Sequence, residues 1–217
     1  MIASRHIFAD ADQLARSLAF NVAASLRQAL AATENATLAV SGGTTPQKFL
    51  EALSRQKLDW PRVTVTLVDE RQVAETSPRS NAKLVKALLL QNAAAAANFV
   101  PLFDNPAAAD LPDFDLVVLG MGNDGHTASY FPGGDTLALA LSHAAPPLLA
   151  ISAPGSGEPR VTFSLPKILA AKEIILHIQG GDKSATLEKA WSGSDEMEMP
   201  VRAVLNSARV IEIYWCP

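Results

Sequence analysis

The sequence predicts a doubly wound α/β fold, a mostly parallel sheet with helices on both faces. Three observations predict it. Apolar, β-branched runs alternate with helical stretches almost from end to end. One run, Asp115-Leu116-Val117-Val118-Leu119, is short and continuously apolar, as expected of a strand buried on both faces of a parallel sheet. Three runs end in Gly-rich or charged turns, and in open α/β sheets ligands bind beyond the carboxyl ends of the strands.

Taken in order, Ile2 to Phe8 reads as the first strand. A long amphipathic helix follows from Asp10 to about Ala32, with Leu14, Leu18, Val22, Leu26 and Leu30 every four residues and Asp10 or Asp12 as its cap. Thr37 to Val40 is a strand, and Pro46 to about Lys57 a helix with Thr45 as N-cap and Pro46 in the first turn. Val63 to Val68 is a strand leading into a charged turn. Ser80-Asn81 opens a helix carrying Leu84, Leu88 and Leu89, and the alanine run 93–97 reads as a helix end. Asn105 to Asp113 is a surface connection. After the Asp115 strand come Leu148 to Ser152, Glu173 to Gln179 and Val210 to Tyr214. Pro154 to Pro159 is the most mobile-looking loop and runs into Arg160.

At 217 residues the chain is expected to form one domain over 1–217, able to bury its own core without disulfides. Its single cysteine, Cys216, excludes a disulfide framework or a cysteine-based metal site. With 18 basic against 22 acidic residues, a general nucleic-acid footprint is not expected. No apolar stretch reaches membrane-spanning length and no secretory signal is visible, so the expected setting is cytoplasmic.

The chemistry is concentrated at three strand ends. In Ser41-Gly42-Gly43-Thr44-Thr45-Pro46, paired glycines allow close backbone approach and aim N–H groups and a helix start at one point, which suits a phosphate. A plain tight turn into a helix is the alternative. The P-loop pattern is absent. Asp69-Glu70-Arg71 is either a site or ordinary loop solvation. Gly120-Met121-Gly122-Asn123-Asp124-Gly125-His126 contains G-x-G-x-x-G, but Leu148 to Ser152 ends without the acidic residue a dinucleotide ribose requires. Asp124 and His126 are more informative, since a carboxylate beside an imidazole can orient a general base. His126 is otherwise a structural histidine. His177 reads as a strand residue with a satisfied hydrogen bond, and His6 and His143 as surface or edge residues. No zinc-like spacing and no G-x-S-x-G elbow occur, which disfavours metal or serine hydrolysis.

Together these blocks resemble the glucosamine-6-phosphate isomerase/6-phosphogluconolactonase family, and the lactonase branch in particular. The resemblance spans almost the whole chain. It includes Ser41 to Pro46, Trp60, Asp69-Glu70-Arg71-Gln72-Val73 and Ser80-Asn81, then Gly120 to Gly133 as the signature block with Asn123 and Tyr130 departing from it. Arg160-Val161-Thr162, Gly180-Gly181-Asp182-Lys183 and Pro200-Val201-Arg202 follow in order. The deaminase branch shares Asp-Gly-His but places a Glu where this chain has Phe131, and Asp-Glu-Tyr where it has Asp69-Glu70-Arg71. Both departures favour the lactonase. A sugar-phosphate sensor is the non-enzymatic alternative; such domains usually follow a helix-turn-helix, for which a strand starting at residue 2 leaves no room.

The resemblance implies a Rossmann-like sheet and hydrolysis of 6-phospho-D-glucono-1,5-lactone in the oxidative pentose phosphate pathway. His126 is then the base that activates water, Asp124 its orienter, and Arg71 a stabiliser of the oxyanion or leaving oxygen. Ser41, Gly42, Gly43, Thr44, Thr45, Asp69, Asn81, Arg160 and Lys183 are the expected substrate- and phosphate-binding residues. No metal or organic cofactor is expected. The partner is a phosphorylated sugar lactone, not nucleic acid or membrane, and the protein is expected to be a monomer or weak homo-oligomer.

Overall fold

The computed structural model describes residues 2–217. Its main sheet has seven strands, all parallel, in the order β1-β10-β9-β6-β2-β3-β5. These are β1 (Ile2–Ile7), β2 (Ala36–Val40), β3 (Val63–Leu67), β5 (Asn98–Val100), β6 (Leu116–Leu119), β9 (Glu173–Gln179) and β10 (Val210–Cys216). A second, antiparallel sheet runs β4-β8-β7, from Asp69–Arg71, Arg160–Phe163 and Leu148–Ile151. Strands β2 and β6 are buried at every position, as parallel strands covered on both faces must be.

Helix α1 (Ala11–Ala32) packs on α2 (Gln47–Ser54), which packs on α3 (Asn81–Leu88). The other group comprises α4 (Leu137–Leu141), α5 (Leu165–Leu169), α6 (Gly181–Trp191) and α7 (Val201–Leu205). The stripe Leu14, Leu18, Val22, Leu26 and Leu30 is buried as its spacing predicts. Asp10 caps α1 by accepting from Gln13 N at 2.8 Å, while the Gln13 side chain reaches back to Ala9 N at 2.9 Å. This reciprocal exchange satisfies two donors at the helix start. Among the described residues no helix is long and apolar enough to cross a membrane.

Several expectations need correction. Asp69-Glu70-Arg71 is a strand, not a charged loop. Val68 donates to Val40 O in the main sheet and accepts from Phe163 N, so the chain changes sheets at that residue. Leu148 to Ser152 belongs to this second sheet, and the strand that follows β6 in the parallel sheet is β9. Thr45 is not the cap of α2; Pro46 takes that position, and the helix stops at Ser54, whose hydroxyl turns back to Glu51 O. The alanine run is not the end of α3. Asn92 has a φ of 50°, and Asn92–Ala96 forms a separate 3-10 turn. Only Ala94 of that turn is buried, too little apolar anchoring to nucleate an α-helix.

Candidate active site

The three strand ends meet in one cleft of about 450 Å³. Ser41 ties two of them together, donating from its backbone to Val118 O and accepting at Oγ from Gly120 N, both at 3.0 Å. Gly42 has no alternative, because a Cβ there would lie 2.0 Å from Asn81 Oδ1. Gly43 follows at φ 95°, and Thr44 and Thr45 line the cleft. No side chain caps α2, so its first N–H groups remain available to an anion.

The β4 segment divides its three charges between different tasks. Glu70 is buried and caps α3 from outside that helix. Its carboxylate accepts from Arg71 N at 2.7 Å, Asn81 N at 2.8 Å, Ala82 N at 2.7 Å and Ser80 Oγ at 3.1 Å. Those bonds fix Asn81, whose Nδ2 donates to Asp69 O at 2.9 Å while its buried Oδ1 has no partner. Asp69 accepts from Ser129 Oγ at 2.5 Å and lies 3.9 Å from Arg160 Nη1. Arg71 stands opposite Arg160 in the antiparallel register and donates to Arg79 O at 2.5 Å. Like charges directly opposite each other destabilise a strand pair. Burial pushes the Arg160 guanidinium below its ordinary pKa; Asp69 opposes this and Arg71 adds to it.

The third strand end carries the Asp124–His126 pair. Asp124 Oδ1 lies 2.6 Å from His126 Nδ1 and also accepts from His126 N at 3.1 Å. A carboxylate only accepts, so the proton sits on Nδ1 and Nε2 is left as the base. Burial raises the Asp124 pKa, but the hydrogen bonds and charge of His126 outweigh it and hold the carboxyl below its usual value. Gly122 makes room for the pair, since a Cβ there would lie 2.1 Å from His126 Nδ1 and 2.3 Å from Asp124 Oδ1. Gly125 takes φ 79° and Ala128 φ 48°, and this turn folds Phe131 back onto the imidazole.

Every predicted site residue except Asp124 lines the cleft; Asp124 touches it only through His126. Lys183, at the start of α6, has no protein partner among the described residues. Burial lowers its pKa while Asp124 and Asp182 pull it back up. Arg160 is largely committed, donating from Nη2 to Ser156 O at 2.6 Å and from Nε to Glu158 O at 3.2 Å. It thereby holds the Pro154 to Pro159 loop over the cleft. Arg79 grips the same loop from above through a two-point ion pair with Glu158. Four cations therefore face one cleft in a chain of net charge −4, a field that concentrates anions.

The model for glucosamine-6-phosphate isomerases/6-phosphogluconolactonase matches residues 9–215. The chain belongs to this family. Within it, the chain is 46% identical to a 6-phosphogluconolactonase of Rhizobium meliloti, with both proteins covered completely. It is 49% identical to that of Mesorhizobium japonicum over 97% of this chain and 94% of the relative. A crystal structure of a 6-phosphogluconolactonase from Shewanella baltica superposes with a TM-score of 0.96 at 36% identity, covering 99% of this chain and 98% of the other.

Three cleft residues of this family member escaped the sequence reading. Arg79 carried a weak signal, a cation directly before Ser80-Asn81. Phe131 stands out in the sequence only as the residue in place of the deaminase branch's Glu. His177 was expected to be a satisfied strand residue; it is buried at the cleft floor, with Nε2 3.3 Å from Gln179 Nε2 and Nδ1 without a partner. Burial pushes its pKa down to about 3, so it is neutral.

Proposed function

We propose that this chain hydrolyses 6-phospho-D-glucono-1,5-lactone to 6-phosphogluconate, the activity named for its relatives. The observation that carries the reading is the Asp124–His126 pair at 2.6 Å, in the wall of a cation-lined cleft beside an apolar Phe131. His126 Nε2 takes a proton from water as the oxygen adds to the C1 carbonyl. The tetrahedral intermediate collapses with cleavage of the bond from C1 to the ring oxygen, which receives the proton back from the imidazolium. Asp124 holds the imidazole in the required tautomer and stabilises its charged form. Arg71 supports the developing negative charge, on the carbonyl oxygen or the leaving ring oxygen. The Ser41 to Thr45 loop, Asn81, Asp69, Arg160 and Lys183 bind the sugar phosphate. A lactone ring needs only a base and an oxyanion partner, so the reaction calls for no metal or organic cofactor.

In this reading the protein acts as a single cytoplasmic domain, a monomer or weak homo-oligomer. Sugar ring opening, which the deaminase branch performs with a Glu working beside the His, would need an acid or base where Phe131 stands. The test is a coupled assay on freshly prepared 6-phosphogluconolactone, measured against its spontaneous hydrolysis. Acceleration that falls about 10²–10⁴-fold in His126→Ala is expected. Ammonia release from glucosamine 6-phosphate, or near-normal turnover by His126→Ala, would overturn the reading.

A further inference from the structure

His126 is held by more than its carboxylate. Its ring lies nearly parallel to that of Phe131, with centroids 4.2 Å apart and an interplanar angle of 27°. The same phenyl ring receives the Arg160 guanidinium, whose carbon is 5.3 Å from the centroid. One aromatic side chain thus touches both an imidazole that becomes cationic during turnover and a permanent cation.

The fold goes to some lengths to put Phe131 there. Only four residues separate it from His126, and Ala128 among them occupies the left-handed region, an unfavourable conformation for a residue with a Cβ. The turn is pinned at several points. Thr127 Oγ1 donates to Gly120 O at 2.7 Å, Tyr130 N to Thr127 O at 3.0 Å, and Tyr130 Oη to Phe163 O at 2.6 Å. Backbone strain that persists at a site because its surroundings over-determine it is a sign of function.

We propose that Phe131 is a positioning residue for the reaction, its ring fixing the plane of the His126 imidazole and offering a π face to the imidazolium. The inference rests on the lactonase reading for its kinetic consequence only. Asp124 grips the imidazole at one nitrogen, which leaves the ring free to rock about that bond. A flat face at 4.2 Å removes this freedom and keeps Nε2 on the line of the attacking water. An aromatic face also stabilises a cation, which an aliphatic side chain of similar volume does not. The other charges around the pair are Asp124 on its own loop, Lys183 from α6, and Arg160 and Asp69 from the antiparallel sheet. None of them replaces the ring.

The test compares wild type with Phe131→Leu and Phe131→Tyr. Phe131→Leu is expected to lower kcat by about tenfold with KM changed less than about twofold. The acid limb of the kcat/KM–pH profile should move to lower pH as the cation loses its π face. Phe131→Tyr, which keeps the ring, should restore both. A Leu variant with unchanged kcat and an unchanged pH profile overturns the proposal, as does one that raises KM alone. Should Phe131→Leu not fold, Phe131→Met serves as the aliphatic arm with the same two readouts. A wild type that does not accelerate lactone hydrolysis defeats the functional reading instead, and the ring-current shift of the His126 ring protons, present in wild type and lost in Phe131→Leu, still decides whether Phe131 stacks on His126.

Discussion

Replacing Gly122 by alanine should silence the site while leaving the fold standing. The added methyl would lie 2.1 Å from His126 Nδ1, 2.3 Å from His126 Cε1 and 2.3 Å from Asp124 Oδ1. Carbon in van der Waals contact prefers about 3.5–4.0 Å, so the pair must retreat by more than about 1 Å. The backbone gives no reason for strain, because Gly122 is not among the glycines of positive φ. Both colliding side chains are partly exposed and can swing outward, which keeps the stability cost to about 1 kcal/mol and the Tm change to about 2–4 °C. The kinetic cost is much larger. A 1 Å misplacement of reacting groups is worth about 10²-fold, and losing the orienting carboxylate adds to it, so kcat should fall by about 10²–10³, or about 3–4 kcal/mol in the barrier. Gly120→Ala is the internal control, since its Cβ would meet nothing closer than Ser41 Cβ at 3.9 Å. The assay is steady-state lactone hydrolysis alongside thermal denaturation of both variants. If Gly122→Ala keeps more than about a tenth of wild-type kcat, or if Gly120→Ala is equally inactive, the steric reasoning fails.

Glu70→Ala removes one acceptor from four donors and should cost about 3–5 kcal/mol, seen as a Tm drop of roughly 10 °C; a drop under about 2 °C would mean that other groups or water satisfy the start of α3. Arg160→Ala should weaken kcat/KM for the phosphorylated lactone more than for glucono-1,5-lactone, and equal weakening of both would show that Arg160 acts only by holding the Pro154 to Pro159 loop. His177 is neutral when folded, with a pKa of about 3, and titrates near 6.5 when unfolded. The unfolded chain therefore binds the extra proton between those values, so His177 costs nothing above pH 6.5 and destabilises progressively as pH falls toward 3. Urea denaturation from pH 7 to 4.5 should show a shallower loss of stability in His177→Leu than in wild type, and identical slopes would contradict the assignment.

The elements that the sequence revealed are those whose side chains answer to one neighbour at a time. Strand β6 is continuously apolar because it is covered on both faces, and α1 shows its stripe because a single face is buried. Strand β4 was invisible for the opposite reason. Asp-Glu-Arg has poor β propensity, and only its pairing with β8, some 90 residues later, makes it a strand. The site divides in the same way. The turns at Ser41, Asp69 and Asp124 advertise their chemistry in residue type and order. His177 does not, because its place depends on register: β6 ends at Leu119 beside Leu176, so His177 is the first residue of β9 beyond its neighbour's end. The meeting of Phe131 with His126 likewise depends on a left-handed residue at Ala128, where no glycine announces one.

The placement of β1 bears on how the molecule is made. Its partner in the sheet is β10, from Ile2 beside Val210 to Ile7 beside Trp215, and among the described residues no other strand pairs with it. At translation rates of about 5–20 residues per second, β1 waits roughly 10–40 s before its partner exists. Helix α1, with its capped start and buried stripe, can meanwhile settle against β2 and α2, leaving a tethered segment that holds no place in the sheet. Until β10 is made, the edge of β9 that it will cover has no strand beside it. Such an edge can be met by another chain before its own arrives.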